Sequence, residues 1–155
     1  MRILVVSDTH GDRMALQRAI LSQPKAEVVI HLGDGAGEAE EMKLDFPEKM
    51  FLTVRGNCDW GSTLPTEGTA VFCGKNIFYT HGYTYNVKFG MYEAVSAARG
   101  QKADVLLFGH THEPLTEYED GLYIMNPGSL NGSGATYGIL DITPAGIVTN
   151  IVKGN

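Results

Sequence analysis

Short apolar runs recur along the whole chain, and glycine, proline or asparagine bounds most of them. The runs are rich in valine, isoleucine and aromatic residues, a composition that is typical of β-strands. The pattern predicts strands at Ile3–Val6, Val28–Leu32, Met50–Val54, Ala70–Phe72, Ile77–Tyr79, Val105–Phe108, Leu122–Met125, Tyr137–Ile142 and Ile147–Val152.

Three other stretches carry apolar residues at helical spacing. Asp12 is suited to cap a helix that ends near Leu21. Acidic residues in the first turn favour a shorter helix at Glu38–Leu44. A third helix is predicted at Lys88–Arg99, with Gly100 as its C-cap. The residues expected on the apolar faces of the first and third helices are Leu16, Ala19 and Ile20, and Tyr92, Val95 and Ala98.

The order of these elements indicates the fold class. Strands and helices alternate in the first half, which favours parallel βαβ units. The second half is rich in strands and has hairpin signals at 119–121 and 144–146. We therefore expect an α/β protein in which a sandwich of two sheets is flanked by helices. The chain has no repeat or long linker, and its 155 residues fit a single domain over 1–155.

Composition narrows the range of partners. With 43% hydrophobic and 19% charged residues the chain is typical of a globular protein. The formal charge of −6 offers no basic surface for a long nucleic acid. A small phosphate ester remains a candidate ligand, because bound cations would reverse the local charge.

The lengths of the apolar runs and the number of cysteines indicate where in the cell the protein is located. The apolar run near the N-terminus is too short for a signal peptide, and no run approaches the length that spans a membrane. Cys58 and Cys73 form neither a disulfide framework nor a zinc-finger pattern. We therefore expect a cytoplasmic protein that does not associate with a membrane.

Five of the apolar runs are followed by side chains that can bind a metal. In an open α/β sheet the ligand crevice lies outside the carboxyl ends of the strands, so all five could face one cleft. The five segments are Ser7-Asp8-Thr9-His10, Leu32-Gly33-Asp34, Gly56-Asn57-Cys58-Asp59, Thr80-His81-Gly82 and Gly109-His110-Thr111-His112. The candidate metal ligands are Asp8, His10, Asp34, Asn57, His81, His110 and His112.

The chemistry of these side chains indicates two metal ions. Carboxylate, amide and imidazole donors suit Mn²⁺, Fe or Zn²⁺ better than a thiolate-rich structural zinc site. Seven ligands are too many for one tetrahedral ion but suit two ions roughly 3.5–4 Å apart. The spacing of two between Asp8 and His10 puts both on one face of an extended chain, and His110 and His112 share that spacing.

The motifs DxH, GD, GNxD, HG and GHxH, in this order, resemble those of the calcineurin-like metallophosphoesterase superfamily. The cysteine in GNCD and the short chain are similar to its small prokaryotic phosphodiesterase branch. This resemblance implies a four-layer α/β/β/α fold and hydrolysis of a small phosphodiester by a hydroxide that bridges two divalent metal ions. It assigns Asp8, His10 and His112 to the first metal, Asn57, His81 and His110 to the second, and Asp34 to both.

The resemblance also implies catalytic roles for Asp34, Asn57, Cys58 and Asp59. Many members of the superfamily carry histidine where this chain has Cys58. A thiol with an ordinary pKa of about 8.5 is a weaker acid at neutral pH and a poor hydrogen-bond donor. We therefore expect a preference for esters with good leaving groups. Tyr83, where related small members often carry another histidine, is expected to shape the cleft.

Other polar and aromatic residues near the motifs admit simpler roles. For His31, a buried histidine bonded to the backbone or to residues around the site is favoured over a ligand. Asp59 could orient Asn57 or a metal-bound histidine, or could serve a turn or helix cap. For Trp60, a hydrophobic plug under a loop is favoured over contact with a substrate ring.

Three functions remain in competition. The leading one is a phosphodiesterase with Mn²⁺ as the metal by resemblance and Fe, Zn, Ni or Mg as alternatives; a nucleotide-derived diester is one candidate substrate. The second is a phosphomonoesterase. The third is a non-catalytic interaction scaffold, because the same fold resembles a eukaryotic cargo-sorting subunit with a depleted metal site. Homo-oligomerisation is left open.

Overall fold

A computed structural model describes residues 1–154 of the chain. Two short 3-10 helices, at Tyr83–Tyr85 and Val87–Phe89, precede the last α-helix. The α-helices are α1 (Arg13–Ser22), α2 (Ala36–Asp45) and α3 (Tyr92–Gly100). The strands are β1 (Arg2–Val6), β2 (Ala26–His31), β3 (Met50–Thr53), β4 (Glu67–Phe72), β5 (Lys75–Thr80), β6 (Val105–Leu107), β7 (Leu115–Glu119), β8 (Leu122–Asn126), β9 (Thr136–Thr143) and β10 (Gly146–Lys153).

The strands form two sheets of five. The first has the order β10-β9-β1-β2-β3 and the second the order β4-β5-β6-β8-β7. In each sheet three neighbouring strands are parallel, β1-β2-β3 in the first and β5-β6-β8 in the second. Antiparallel strands complete the two sheets. Within each parallel set the carboxyl ends of the strands therefore lie at the same edge.

Apolar side chains point to both faces of the central strands. In β1, Ile3 and Val5 pack between the two sheets, whereas Leu4 and Val6 pack against α1 and α2. On the other side of the molecule, Phe78 of β5 packs with α3. Burial on both faces explains why the apolar runs are continuous rather than alternating. The layers are helix, sheet, sheet and helix, which confirms the expected α/β/β/α sandwich.

The helix predictions are confirmed for α1 and need correction for α3. Asp12 caps α1 through the Ala15 amide, at 3.1 Å, as expected. The third helix begins at Tyr92 rather than Lys88, because Gly90 adopts a φ of 126° that breaks the helix. Its buried face carries Ala94 and Ala98, while Tyr92 is 83% exposed.

The end of α3 also differs from the prediction, whereas the two predicted hairpins are present. Gly100 is the last residue of α3, and Gln101 is its C-cap, so the expected glycine cap is wrong. The hairpins at 119–121 and 144–146 are confirmed, joining β7 to β8 and β9 to β10. The apolar runs do not reveal β7 itself, because four of its five residues are exposed. Among the described residues, no helix combines the length and apolar character that crossing a membrane requires.

The core between the sheets gives a test of the layer arrangement. Ile30 of β2 is fully buried there. Replacement Ile30→Ala is expected to lower the free energy of unfolding by about 2–5 kcal/mol, measured by urea denaturation, because it leaves a cavity. The control Leu44→Ala, at a site on α2 that is 82% exposed, should change it by less than about 0.5 kcal/mol. Equal losses in the two variants would contradict the assigned core.

Candidate metal centre

The predicted ligands meet where the parallel strands of both sheets end. Backbone hydrogen bonds hold this edge together: the Asp8 amide donates to the Gly33 carbonyl and the His10 amide to the Asp34 carbonyl, each at 2.9 Å. In the second sheet the Gly109 amide donates to the His81 carbonyl at 3.0 Å. Between the sheets the His110 amide donates to Oδ2 of Asp8 at 3.1 Å, so the segments after β1, β2, β5 and β6 form one surface, as the sequence predicts.

Most of the predicted ligands adopt left-handed backbone conformations. Five of the nine non-glycine residues with positive φ in the described chain are Asp8, His10, Asp34, His110 and His112, with φ between 44° and 68°. Such residues are uncommon, and each costs about 1–2 kcal/mol. The expected extended geometry at the two-residue spacings is therefore wrong. The side chains converge through sharp left-handed turns beyond the strand ends.

One group of side chains surrounds a carboxylate oxygen of Asp8. Its Oδ1 lies 3.4 Å from Nε2 of His10 and 3.2 Å from Nε2 of His112. The two imidazole nitrogens are 3.3 Å apart. The ligand atoms of these three residues thus face a common point.

A second group surrounds Nε2 of His81. This nitrogen lies 3.1 Å from Oδ1 of Asn57 and 3.1 Å from Nδ1 of His110. Asp34 lies between the two groups: its Oδ2 is 3.4 Å from Nε2 of His81 and 3.8 Å from Nε2 of His10. The structure thus brings all seven predicted side chains together as two groups joined by Asp34.

Backbone contacts fix the tautomer of His81. Its Nδ1 lies 2.7 Å from the Leu32 carbonyl, which can only accept a hydrogen bond, so Nδ1 carries the hydrogen. The lone pair of Nε2 therefore points towards Asn57, Asp34 and His110. This is the arrangement that metal-binding histidines commonly adopt.

The Asp8 carboxylate is fully buried but well satisfied. Burial raises the pKa of this carboxyl, yet nearby His81, the Ser7 hydroxyl and the His110 amide together hold the pKa of Asp8 below its ordinary value. The hydroxyl of Ser7 and the His110 amide both donate to Oδ2 of Asp8. Oδ1 is left to face His10 and His112, so the side chain presents one charged oxygen to the cleft.

Asp59 fixes the position of the Asp34 loop. One oxygen accepts the Asp34 and Gly56 amides, each at 2.8 Å, and the other accepts those of Gly35 and Ala36, each at 3.0 Å. Burial raises the pKa of Asp59, but these four donors hold it below the ordinary value. The sequence leaves open whether Asp59 orients a metal ligand or caps a turn or helix, and the bonds to Gly35 and Ala36 are those of a cap at the start of α2. Its assignment as a catalytic residue stays a prediction.

Close backbone packing brings the two sheets together at the centre. A Cβ atom on Gly56 would lie 2.7 Å from the amide nitrogen of Asp34, and one on Gly109 would lie 2.9 Å from Oδ2 of Asp8. Distances this short do not occur for real side chains. The glycines of GN and GH are therefore required for space beside the two carboxylates.

Comparison with known proteins identifies the family. The model of the calcineurin-like phosphoesterase superfamily domain matches residues 1–144. The chain belongs to this superfamily. The expectation of a metal-dependent phosphoric ester hydrolase is thereby confirmed at the level of the family.

Proteins of several kinds are similar in sequence to the chain. The probable metallophosphoesterase YsnB of Bacillus subtilis is 33% identical over 132 residues, which cover 84% of this chain and 75% of that protein. Phosphodiesterase YfcE of Escherichia coli K12 is 28% identical, covering 91% and 88%. Vacuolar protein sorting-associated protein 29 of Schizosaccharomyces pombe is 32% identical, covering 86% and 74%.

A solved structure supports the same fold. A conserved protein of Streptococcus pneumoniae TIGR4, described as a predicted phosphoesterase, superposes with a TM-score of 0.82 at 25% identity. The match covers 99% of this chain and 89% of that chain.

The residues of this phosphoesterase fit the divalent metal ions that the family implies. Two nitrogens bound at about 2.1 Å to one tetrahedral ion would be about 3.4 Å apart. The nitrogens of His10 and His112 are 3.3 Å apart and those of His81 and His110 3.1 Å apart. All donors are oxygen or nitrogen atoms, which suit several divalent ions.

Cys58 lies at the mouth of the centre. Its side chain is exposed, and its amide donates to Oδ1 of Asp34 at 2.7 Å. Its thiol is close enough to His10 and Asp34 to share a ligand with them. Partial burial and the Asp34 carboxylate raise the pKa of the Cys58 thiol above its ordinary value. The thiol is therefore a weak acid in these surroundings.

His31 supports the loop of the phosphoesterase that carries Asp8. The Gly33 amide donates to its Nδ1 at 3.1 Å, so its other nitrogen carries the hydrogen and donates to the Thr9 hydroxyl at 3.0 Å. Thr9 in turn donates to Glu38 of α2 at 2.7 Å. Burial lowers the pKa of His31 to about 4, so the ring is neutral. The expectation of a buried, hydrogen-bonded histidine is confirmed.

Sequence reasoning missed the role of Glu38 and misjudged Trp60. Glu38 also accepts the Gly11 amide at 3.0 Å, which ties α2 to the turn after His10. Only its place in the first turn of a helix was visible in the sequence. Trp60 was expected to plug a loop, but it is 90% exposed. Tyr83 lies beside the metal ligands, with its ring centroid 5.7 Å from that of His81, and its role in shaping the cleft stays a prediction.

The four amides held by Asp59 provide a test of positioning. In Asp59→Asn only one oxygen remains to accept hydrogen bonds, so two amides lose their partner. We expect the affinity for divalent metal, measured by calorimetry, to fall about tenfold as the Asp34 loop loosens. Asp104→Asn is the matched control, because the carboxylate of Asp104 in the unaltered protein accepts a hydrogen bond from the Asn76 amide, at the opposite end of β5. The control should bind metal normally; equal losses in both variants would refute the positioning role.

Proposed function

We propose that this protein is a binuclear metal-dependent phosphodiesterase that hydrolyses a small phosphodiester. The observation that supports it most is the pair of ligand groups around Asp8 and His81, which share the carboxylate of Asp34. Membership of the superfamily supplies the reaction class, phosphoester hydrolysis.

The proposal assigns a role to each ligand. Asp8, His10 and His112 hold the first ion, Asn57, His81 and His110 hold the second, and Asp34 holds both. When bound, two such ions supply a water with a lowered pKa as nucleophile and neutralise charge on the phosphoryl group.

Hydrogen bonds within the protein organise the ligands before substrate arrives. The Leu32 carbonyl orients His81, and the Cys58 amide holds Oδ1 of Asp34 so that Oδ2 faces both groups. The carboxamide of Asn126 donates to the Gly109 carbonyl and the Thr111 hydroxyl, at 3.1 and 2.9 Å, and so supports the histidine loop. A preorganised site of this kind avoids the cost of reorganisation during the reaction.

The thiol of Cys58, in place of an imidazole, favours diesters with good leaving groups over alkyl monoesters. A thiol with an ordinary pKa of about 8.5 gives up its proton less readily than an imidazolium, so a poor leaving group receives little help. The similarity to YfcE, which is named a phosphodiesterase, agrees with this preference. We propose Mn²⁺ as the metal, a nucleotide-derived diester as one substrate, and the cytoplasm as the location.

An interaction scaffold is the competing function. The similarity to a vacuolar sorting protein favours it. The convergence of seven ligand side chains on one cleft, with five of them in left-handed conformations, favours the enzyme, because protein contacts alone do not require that geometry.

Chelation with add-back tests the metal requirement. Hydrolysis of bis(4-nitrophenyl) phosphate is expected to stop after chelation and to return with Mn²⁺. His81→Ala and Asp34→Asn should each lower kcat/KM at least about a hundredfold, because the first removes a ligand of the second ion and the other removes the charge of the carboxylate that holds both ions. Asp104→Asn serves as the folded control, and thermal unfolding checks the variants. Activity that survives chelation and both substitutions would refute the two-metal mechanism, whereas absence of hydrolysis in the Mn²⁺-loaded protein would leave the scaffold.

Cys58→His tests the basis of the diester preference. The imidazole should supply the missing proton donor, so hydrolysis of an alkyl monoester such as glycerol 2-phosphate, measured by phosphate release, is expected to rise relative to that of bis(4-nitrophenyl) phosphate. Cys58→Ser is the control, since a hydroxyl supplies no comparable acid. An unchanged ratio in Cys58→His would show that the thiol does not limit monoester turnover.

A further inference from the structure

A second cavity lies directly beside the proposed metal centre. The pocket over the metal ligands has a volume of about 260 Å³ and is lined by His10, Asp34, Cys58 and Asp59. The neighbouring cavity has a volume of about 450 Å³ and lies between the first turns of α2 and the loop 60–64. Asp59 lines both, and Gly35 in the first pocket precedes Ala36 in the second. The two therefore adjoin, and the larger one lies in the range of about 300–1,000 Å³ that is typical of ligand sites.

Trp60 stands at the rim of this second cavity. Its side chain is 90% exposed, and it is the single tryptophan of the chain. Isolated apolar residues on a surface are common and need no explanation. The position of this one is informative, because it follows Asp59 directly and borders a cavity that opens beside the metal ligands.

The backbone around Trp60 is held in place. The preceding carboxylate of Asp59 accepts four amide hydrogen bonds, and the Ser62 amide donates to the Asp59 carbonyl at 3.2 Å. The Arg55 amide donates to the Pro65 carbonyl at 2.9 Å and closes the base of the loop. The indole thus extends from an ordered turn, so the backbone loses little conformational entropy when a ligand packs on the ring.

The charges of the cavity indicate which part of a ligand fits. Its charged residues, Glu40 and Asp59, are acidic, and none of its lining residues is basic within the part of the chain that the structure describes. A second phosphate is therefore disfavoured there. An uncharged aromatic ring can stack on the indole. The Ser62 and Thr63 hydroxyls and the Glu40 carboxylate can bond the polar edges or hydroxyls of such a group.

We infer that Trp60 and the cavity behind it bind the aromatic alcohol of the substrate, so that the phosphodiester carries a nucleoside or an aryl group. This inference rests on the proposed function, since it places the phosphate at the metal ligands. It makes Trp60 a residue that determines specificity rather than a catalytic residue.

The fluorescence of Trp60 tests this directly, because no other tryptophan contributes to the signal. Excited at 295 nm, the Mn²⁺-loaded protein is titrated with adenosine 5′-monophosphate, phenyl phosphate, adenosine and inorganic phosphate. The two aromatic phosphates are expected to change the emission saturably, while inorganic phosphate leaves it unchanged. Tighter binding of the adenosine phosphate than of phenyl phosphate indicates a nucleoside ester, and equal binding indicates an aryl ester.

Variants measured by calorimetry separate stacking from effects on the metals. Trp60→Ala should weaken binding of adenosine 5′-monophosphate roughly tenfold and leave inorganic phosphate unaffected, since stacking on one aromatic side chain contributes about that factor. Trp60→Phe should restore part of the loss. The control Tyr92→Ala removes another exposed aromatic residue, which lines a separate cavity with Arg99 and Glu119, and should bind normally.

Two results would overturn the inference. One is equal affinity of Trp60→Ala and the unaltered protein for the adenosine phosphate, with no change in emission. The other is an equal loss of inorganic phosphate binding, which would place the effect at the metal ligands. If adenosine changes the emission and Trp60→Ala abolishes its binding in a protein that hydrolyses no ester, the cavity assignment stands and the proposed function fails.

Discussion

Two buried carboxylates govern the structure of the cleft. Asp8 is fully buried and Asp34 nearly so, at the edge where the parallel strands of both sheets end. Burying a carboxylate is costly unless hydrogen bonds or opposite charges compensate for the lost water. Amide and hydroxyl donors satisfy one oxygen of each, and the other oxygen of each faces the histidines. The glycines, the left-handed turns and the supporting loop all serve to place these two side chains.

Much of the fold was visible in the sequence, because burial on both faces of the central strands leaves continuous apolar runs. β7 was not visible, since an exposed edge strand needs no such run. The start of α3 was misplaced because helical spacing continues through Lys88, while the φ of Gly90 stops the helix. Backbone conformation at single glycines is decided by packing around them, which a periodic pattern does not record.

The sequence predicts which residues form the metal centre but not the backbone conformation that brings them together. The motifs identified the side chains that converge, since strand ends on one sheet edge lie close together. They did not reveal that Asp8 and His10 reach the cleft through left-handed turns. Nor did they separate the alternatives for Asp59, because a cap formed across 23 to 25 residues of sequence leaves no local signature.

The closed base of the loop between Arg55 and Pro65 has a consequence for how such a protein can diversify. The chain passes from the first sheet to the second through this loop. Asn57 and Asp59 belong to its opening turn, whereas Trp60 and residues 61–64 line the second cavity. The later half of the loop can therefore change in length or composition while the hydrolytic machinery is inherited intact. Exchange of this part of the loop between relatives would alter the ligand preference without changing the metal ligands.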